Sequence, residues 1–298
     1  MNRSREAILL DPASLVAVRS LRLRARLVVD GLTAGGHRSP DHGFSSEFLE
    51  YRAYRHGEPA SALDWRVFAR NDRSVVRLFE DETNLTATIM LDASGSMAVS
   101  DTAVSKLEYA RTIAAALAMI LVRQRDATGL FIFGEGNRTH LPPSSSPARL
   151  RELMSYLQNA KPEGLTETAI AVDGVARTIS RRGLCIIISD LLDDPHKIGA
   201  ALRHLRFKRQ EVLVIRILTE SESHFSQSRT VTLIDSETGR TTSLDGETAS
   251  KAFRNGFDSH SQILADLCAA NGVLLETVHT NEPVGKALLR IMARRGRI

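Results

Sequence analysis

The chain has 298 residues, 43% of them hydrophobic and 25% charged, with a formal net charge of +4. That make-up supports a sizeable core and excludes a disordered chain or a small disulfide-framed scaffold. The positive charge is spread without a Lys/Arg block and aromatic residues make up 5%, which argues against a nucleic-acid arm or a base-stacking surface.

In chain order, residues 11–30 are predicted helical, with Asp11 as cap and Pro12 in the first turn. Arg19, Arg22 and Arg26 share another face of that helix and read as a solvated stripe. Residues 31–43, GLTAGGHRSPDHG, read as loop. His37, Asp41 and His42 in it have no spacing that demands a metal. Residues 44–83 read as helix-poor and strand-containing, and 1–83 is expected to form a unit ahead of a second at 84–298.

From there apolar strands alternate with helices. Strands are predicted at 86–91, 129–133, 184–189 and 211–218, and helices at 105–123, 147–158, 168–180 and 195–206. The tail adds a strand at 231–235, a hairpin turn at DSETGR, a helix near 247–270, a strand at 273–279 and a last helix from Pro283. Strands apolar almost throughout need both faces covered, which predicts an α/β fold with a doubly wound, mostly parallel sheet.

Cys185 and Cys268 lie within apolar patterns and read as small buried hydrophobes in a reducing compartment, the cytoplasm. The opening MNRSREAILLDPAS lacks a signal peptide's apolar core. The greasiest helical run, residues 113–122, is about half the length that spans a bilayer.

No Walker A pattern is present, and GEGNRT after Phe133 lacks the third glycine of a dinucleotide loop. The stretch TIMLDASGSM ends an apolar strand on Asp92, followed by Ser94 and Ser96. It lacks the glycine a nucleophile elbow needs two residues before its serine. Alone, the stretch is a helix cap with small polar neighbours. Two further strand or helix ends carry oxygen donors: Thr166 and Thr168 in EGLTETAIAV, and Asp190 in CIIISDLLDD. Each has a local reading as a cap, Asp193 and Asp194 included. Together, on a fold that gathers ligands beyond the strands' carboxyl ends, they read as an oxygen cradle for a hard divalent ion.

This combination resembles a von Willebrand factor A-type domain. Asp92, Ser94, Ser96, Thr166 and Asp190 match that family's metal-ion-dependent adhesion site in order and setting. Leu191 stands where many relatives have glycine. The segment Ser46–Met97 narrows the resemblance to the bacterial family named domain of unknown function 58. Its Arg52 and Tyr54, Gly57 with Glu58, Asp64 with Trp65, and Ala69 with Arg70 follow the family's series ahead of the first strand. Among those, Trp65 reads as core, and Asp64 with Arg52, Arg66 or Arg70 as a structural ion pair.

The resemblance implies a binding module with no catalytic residues. The five residues would hold Mg²⁺ or Mn²⁺, and a protein partner would supply an acidic side chain to complete the octahedron. Relatives commonly accompany MoxR-type AAA+ ATPases, which implies an adaptor or assembly role beside such an ATPase. Two alternatives are a metal-dependent hydrolase or phosphoryl-transfer enzyme at the same cradle, and a scaffold whose cradle is vacant.

Overall fold

A computed structural model describes residues 11–34, 48–53, 75–79, 85–134, 139–165, 168–223, 231–234 and 241–295. In chain order its elements are α1 (Pro12–Ala17), α2 (Leu21–Ala34), β1 (Phe48–Ala53), β2 (Val75–Phe79) and β3 (Thr86–Asp92). Next come α3 (Lys106–Arg123), β4 (Ala127–Phe133), β5 (Thr139–Ser144), α4 (Pro147–Asn159), α5 (Thr168–Thr178) and β6 (Leu184–Ser189). The remainder is α6 (Pro195–Phe207), β7 (Glu211–Leu218), α7 (Glu220–Ser223), β8 (Val231–Ile234), β9 (Thr241–Leu244), α8 (Gly246–Ala270), β10 (Leu274–His279) and α9 (Val284–Arg295).

The main sheet has six strands in the order β10-β7-β6-β3-β4-β5. All neighbours pair in parallel except β4 and β5, which are antiparallel. From β3 the sheet extends through β4 and β5 on one side and through β6, β7 and β10 on the other. The order therefore reverses between β3 and β6, the switch point of a doubly wound sheet.

Period-two alternation splits each central strand between two cores. Ala87, Ile89 and Leu91 of β3, Leu184, Ile186 and Ile188 of β6, and Leu213, Ile215 and Ile217 of β7 share one cluster with Val28, Ile113, Leu153 and Leu288 of the helices on that face. Met90, Cys185, Ile187, Val212 and Val214 join Val172, Leu202 and Leu264 on the other. Both faces are covered, which is why these strands carry no polar alternation. Both cysteines are buried and unpaired, and burial pushes the Cys185 and Cys268 thiols up to about 12 and about 11.

The helix starts follow local chemistry. Ser105, Ser146 and Asp194 each accept an N–H from the first turn of α3, α4 and α6, and Pro147 and Pro195 open two of those helices. The single helix expected over 11–30 is two. Val18 is extended, and Ser20 starts a second helix by accepting from Leu23 N and Arg24 N. The Arg24 guanidinium turns back to the freed Val18 carbonyl at 2.6 Å and reaches Glu108 at 2.7 Å. The second helix continues to Ala34, into residues expected to be loop. Strand β5 was not expected. Its THLPPS carries two prolines, a composition compatible with an edge strand alone.

The chain divides into two compact units, Met1–His37 with Leu85–Ile298, and Arg38–Asn84. The N-terminal helices thus go with the sheet rather than with the segment after them. Leu15, Leu21, Ala25, Val28 and Val29 are buried in the same core as Ile113 and Leu117 of α3. In the smaller unit β1 pairs antiparallel with β2. His37, Asp41, His42, Asp64, Trp65, Arg66 and Arg70 lie outside the described residues. Strands β8 and β9 form the expected hairpin, with Ile234 opposite Thr241.

Asp126, just ahead of β4, is a buried acid at the sheet's other end. Its Oδ1 accepts from Leu85 N at 3.2 Å, and its Oδ2 is buried with no hydrogen-bond partner among the described residues. Burial raises its carboxyl from 3.8 to about 6. A raised folded-state value stabilises fully below the unfolded value and is lost as pH rises through the folded one. Urea denaturation from pH 4 to pH 7 should therefore show Asp126→Asn gaining on the wild type with rising pH, by up to about 3 kcal/mol. Parallel pH profiles for the two proteins would refute this.

Candidate metal centre

Strands β3 and β6 pair in parallel with Leu91 opposite Ile188. They therefore leave the sheet side by side, one on Asp92 and the other on Ser189 and Asp190. All three residues are fully buried. Ser94 and Ser96 follow Asp92 into a 3₁₀ turn (Gly95–Ala98) that begins just after Ser94.

Asp92 sits inside a set of donors. Its Oδ1 accepts from Ser94 N at 2.9 Å, and its Oδ2 from Ser189 Oγ at 2.6 Å and Thr168 Oγ1 at 3.3 Å. Ser94 Oγ lies 3.1 Å from Ser96 Oγ. The loop ahead of α5 is tied to this turn, since Glu163 N donates to Ala93 O and Gly95 N to Gly164 O. The end of β4 presses on it as well. Gly134 has φ +148, and a Cβ there would lie 2.8 Å from Ala93 O, so no other residue fits without moving the loop. Thr166 lies outside the described residues.

Asp190 is held differently. Its Oδ2 accepts from Lys106 Nζ at 2.7 Å, and the same ammonium donates to Glu222 Oε1 at 2.5 Å. The Lys106 side chain is fully buried. Burial pulls its ammonium down, but the charges of Asp190 and Glu222 outweigh that and hold it above the usual lysine range. The Asp190 carbonyl accepts from Arg216 Nε at 3.1 Å, and Arg216 Nη1 reaches Ser261. Asp193 Oδ2 accepts from Ala169 N at 3.2 Å and Asp194 caps α6, so both acids have structural duties.

Leu191 adopts a backbone conformation that glycine takes most readily. Its φ is +54, a left-handed conformation costing a side-chain-bearing residue about 1–2 kcal/mol. Its N–H donates to Ser189 Oγ at 3.0 Å and its side chain is buried in the core on the α5 and α6 face of the sheet.

The donor chemistry fits a hard divalent ion. Beside the Lys106 and Arg216 cations, the side-chain donors at the ends of β3 and β6 are carboxylates and hydroxyls, the set Mg²⁺ or Mn²⁺ takes and thiophilic metals do not. Burial, then the charge of Asp190, raises the Asp92 carboxyl to about 6 against its hydrogen bonds from Ser189 and Ser94. A buried acid whose ionised form is disfavoured by its surroundings is what a cation relieves. An ion there would supply a fixed positive centre.

Of the five residues read from the sequence, the structure brings Asp92, Ser94 and Ser96 to one turn and Asp190 to the neighbouring strand end. It adds Ser189, Thr168, Lys106, Glu222 and Arg216. Ser189 had a signal, as the polar end of a strand otherwise wholly apolar. Thr168 stands in the sequence beside Thr166 as an oxygen donor or a cap, and the family resemblance selects Thr166 of the two. Lys106 had none, because a lysine at a helix start looks like any solvated one.

A six-stranded sheet of this order, with one antiparallel edge and an acid ending its first central strand, defines a von Willebrand factor A-like fold. The chain belongs to the family described as protein of unknown function DUF58, whose model matches residues 50–263. It is similar to an uncharacterized protein, Rv1480, of Mycobacterium tuberculosis, with 28% identity over 232 residues, 77% of this chain and 73% of that one. Similar solved structures include BatB of Bacteroides thetaiotaomicron, at 16% identity and TM-score 0.47, covering 72% of this chain and 100% of that one. The VWA domain of SpRpn10 aligns at 13% identity and TM-score 0.42, covering 69% of this chain and 95% of that one. The manganese-loaded TRAP protein of Plasmodium vivax aligns at 18% identity and TM-score 0.34, covering 45% and 57%.

Ser189 serves Asp92 and the Leu191 backbone at once. Ser189→Ala should lower stability by about 1–3 kcal/mol in urea unfolding, because it leaves buried acceptor and donor groups short of a partner. An unchanged midpoint would show that neither bond matters.

Proposed function

We propose that this protein is a metal-dependent protein-binding module. Asp92, Ser94, Ser96, Thr166 and Asp190 hold Mg²⁺ or Mn²⁺, some of them through water, and a partner's carboxylate fills the remaining position. The observation that carries this reading is the meeting of Asp92, Ser94 and Ser96 with Asp190 at the carboxyl ends of β3 and β6. Ligands collect at that switch point in open α/β sheets.

Charge supports it too. Asp92, Asp190 and Glu222 face two buried cations, Lys106 and Arg216. This leaves one negative charge in excess. A divalent ion turns it into one positive charge, and an incoming carboxylate balances the site. The surroundings favour a protein as the donor of that carboxylate. Leu165, Ile170 and Leu192, on the three loops or helix starts that border the site, are exposed, and such apolar side chains bury well against a partner surface.

Asp193 and Asp194, the acids nearest the site in sequence, are engaged with the starts of α5 and α6, which supports a module that binds rather than one that catalyses. Its role is that of an adaptor working in the cytoplasm with a MoxR-type AAA+ ATPase on the assembly or maturation of other proteins. Among the described residues no helix is long and apolar enough to cross a membrane.

Capture of the ATPase or its client from native-cell extract should require Mg²⁺, fail in chelator, and be lost in Asp92→Ala while the variant remains folded. Capture that survives chelation and the substitution would overturn the proposal.

A further inference from the structure

Lys106 is the first residue of α3, where the helix dipole disfavours a cation. It is nonetheless fully buried, with its ammonium shared between Asp190, 84 residues away, and Glu222, 116 residues away. Local preference does not place a lysine there. The carboxylates at the site do.

Asp190 is also one of the residues that would hold the divalent ion. Its Oδ2 has taken the ammonium at 2.7 Å, and its Oδ1 receives Leu192 N at 3.4 Å. Glu222 stands on the short helix after β7, and its other oxygen accepts from Thr219 N at 2.8 Å. That helix is anchored to the loop before α3 by Asp101, which accepts from Ser221 N at 2.7 Å and from Ser221 Oγ at 2.5 Å. Lys106 thus stands between two acids on separate anchored elements, with no bulk water to screen the pairing.

We infer that Lys106 is a built-in counter-ion that competes with the divalent metal for Asp190, and that Glu222 draws the ammonium away from that competition. Lys106 is a positioning residue. It sets how tightly the ion is held and how much positive charge the occupied site presents to a carboxylate. This rests on the metal reading of the site. It deepens that reading by assigning the affinity to residues outside the expected ligand set.

The two acids make the idea testable by sign. Lys106→Met removes a positive charge beside Asp190 and should bind Mn²⁺ at least about tenfold more tightly than the wild type. Glu222→Gln leaves the ammonium to Asp190 alone and should bind Mn²⁺ several-fold more weakly. A lysine needed only for packing would weaken both variants.

Isothermal calorimetry with Mn²⁺ on the full chain reads this, with unfolding temperature in chelator and in Mn²⁺ as a second measure. Where Lys106→Met does not fold in chelator, Lys106→Gln, which keeps amide donors in place of the ammonium, is measured instead. Tighter binding by the lysine variant supports the inference. If the wild type binds no Mn²⁺ and the lysine variant does, the counter-ion role stands and the metal-dependent function falls. Equal or weaker binding by the lysine variant overturns the inference while leaving the function in place if the wild type binds. Failure of both to bind overturns both.

Discussion

In the centre of the sheet Leu91 lies opposite Ile188, and the two strands run the same way. Parallel pairing makes their carboxyl ends emerge together, so an acid ending one strand meets the acid that follows the other. An antiparallel partner would put those acids at opposite ends of the molecule. A shift of one residue would turn Ile186 and Ile188 away from their core and send Cys185 and Ile187 into it. The site's geometry is therefore guarded by the packing of some of the most buried aliphatic side chains in the chain. The loops around it are then sewn to one another by main-chain bonds, Gly95 to Gly164 and Ala93 to Glu163.

This arrangement separates two jobs. Asp92 is surrounded by hydroxyls and an amide, neutral groups that orient it without neutralising it. Asp190 is met by a full positive charge. Two acids of the same type, at the ends of adjacent strands, thus differ in how readily each gives its charge to an incoming ion. The difference arises from elements remote in sequence: the start of α3 and the helical turn after β7.

Much of this was legible before the fold was known, for identifiable reasons. Apolar runs with no polar alternation announced strands covered on both sides, and Asp92, Ser94, Ser96 and Asp190 stood out by breaking those runs. The family resemblance rested on short local strings and proved right. What stayed hidden depended on distance or on weak punctuation. Lys106 gains its meaning from partners 84 and 116 residues off. The break between α1 and α2 falls at Val18-Arg19-Ser20, where no glycine or proline marks it. Strand β5 was masked by the two prolines that its edge position tolerates. The N-terminal helices were grouped with their chain neighbours, although their buried face belongs to α3 and the sheet.

Leu191 has a consequence for how this loop can drift over generations. A glycine there would relax the backbone but empty a filled place in the core, and a valine or isoleucine would be refused by the left-handed backbone. The position is bounded from two directions at once, by main-chain shape and by core volume. Neutral exchange at 191 is therefore narrow, and a change there should be accompanied by repacking within the core cluster that its side chain joins. Covariation of position 191 with that cluster is the mark that such a double constraint would leave among homologous sequences.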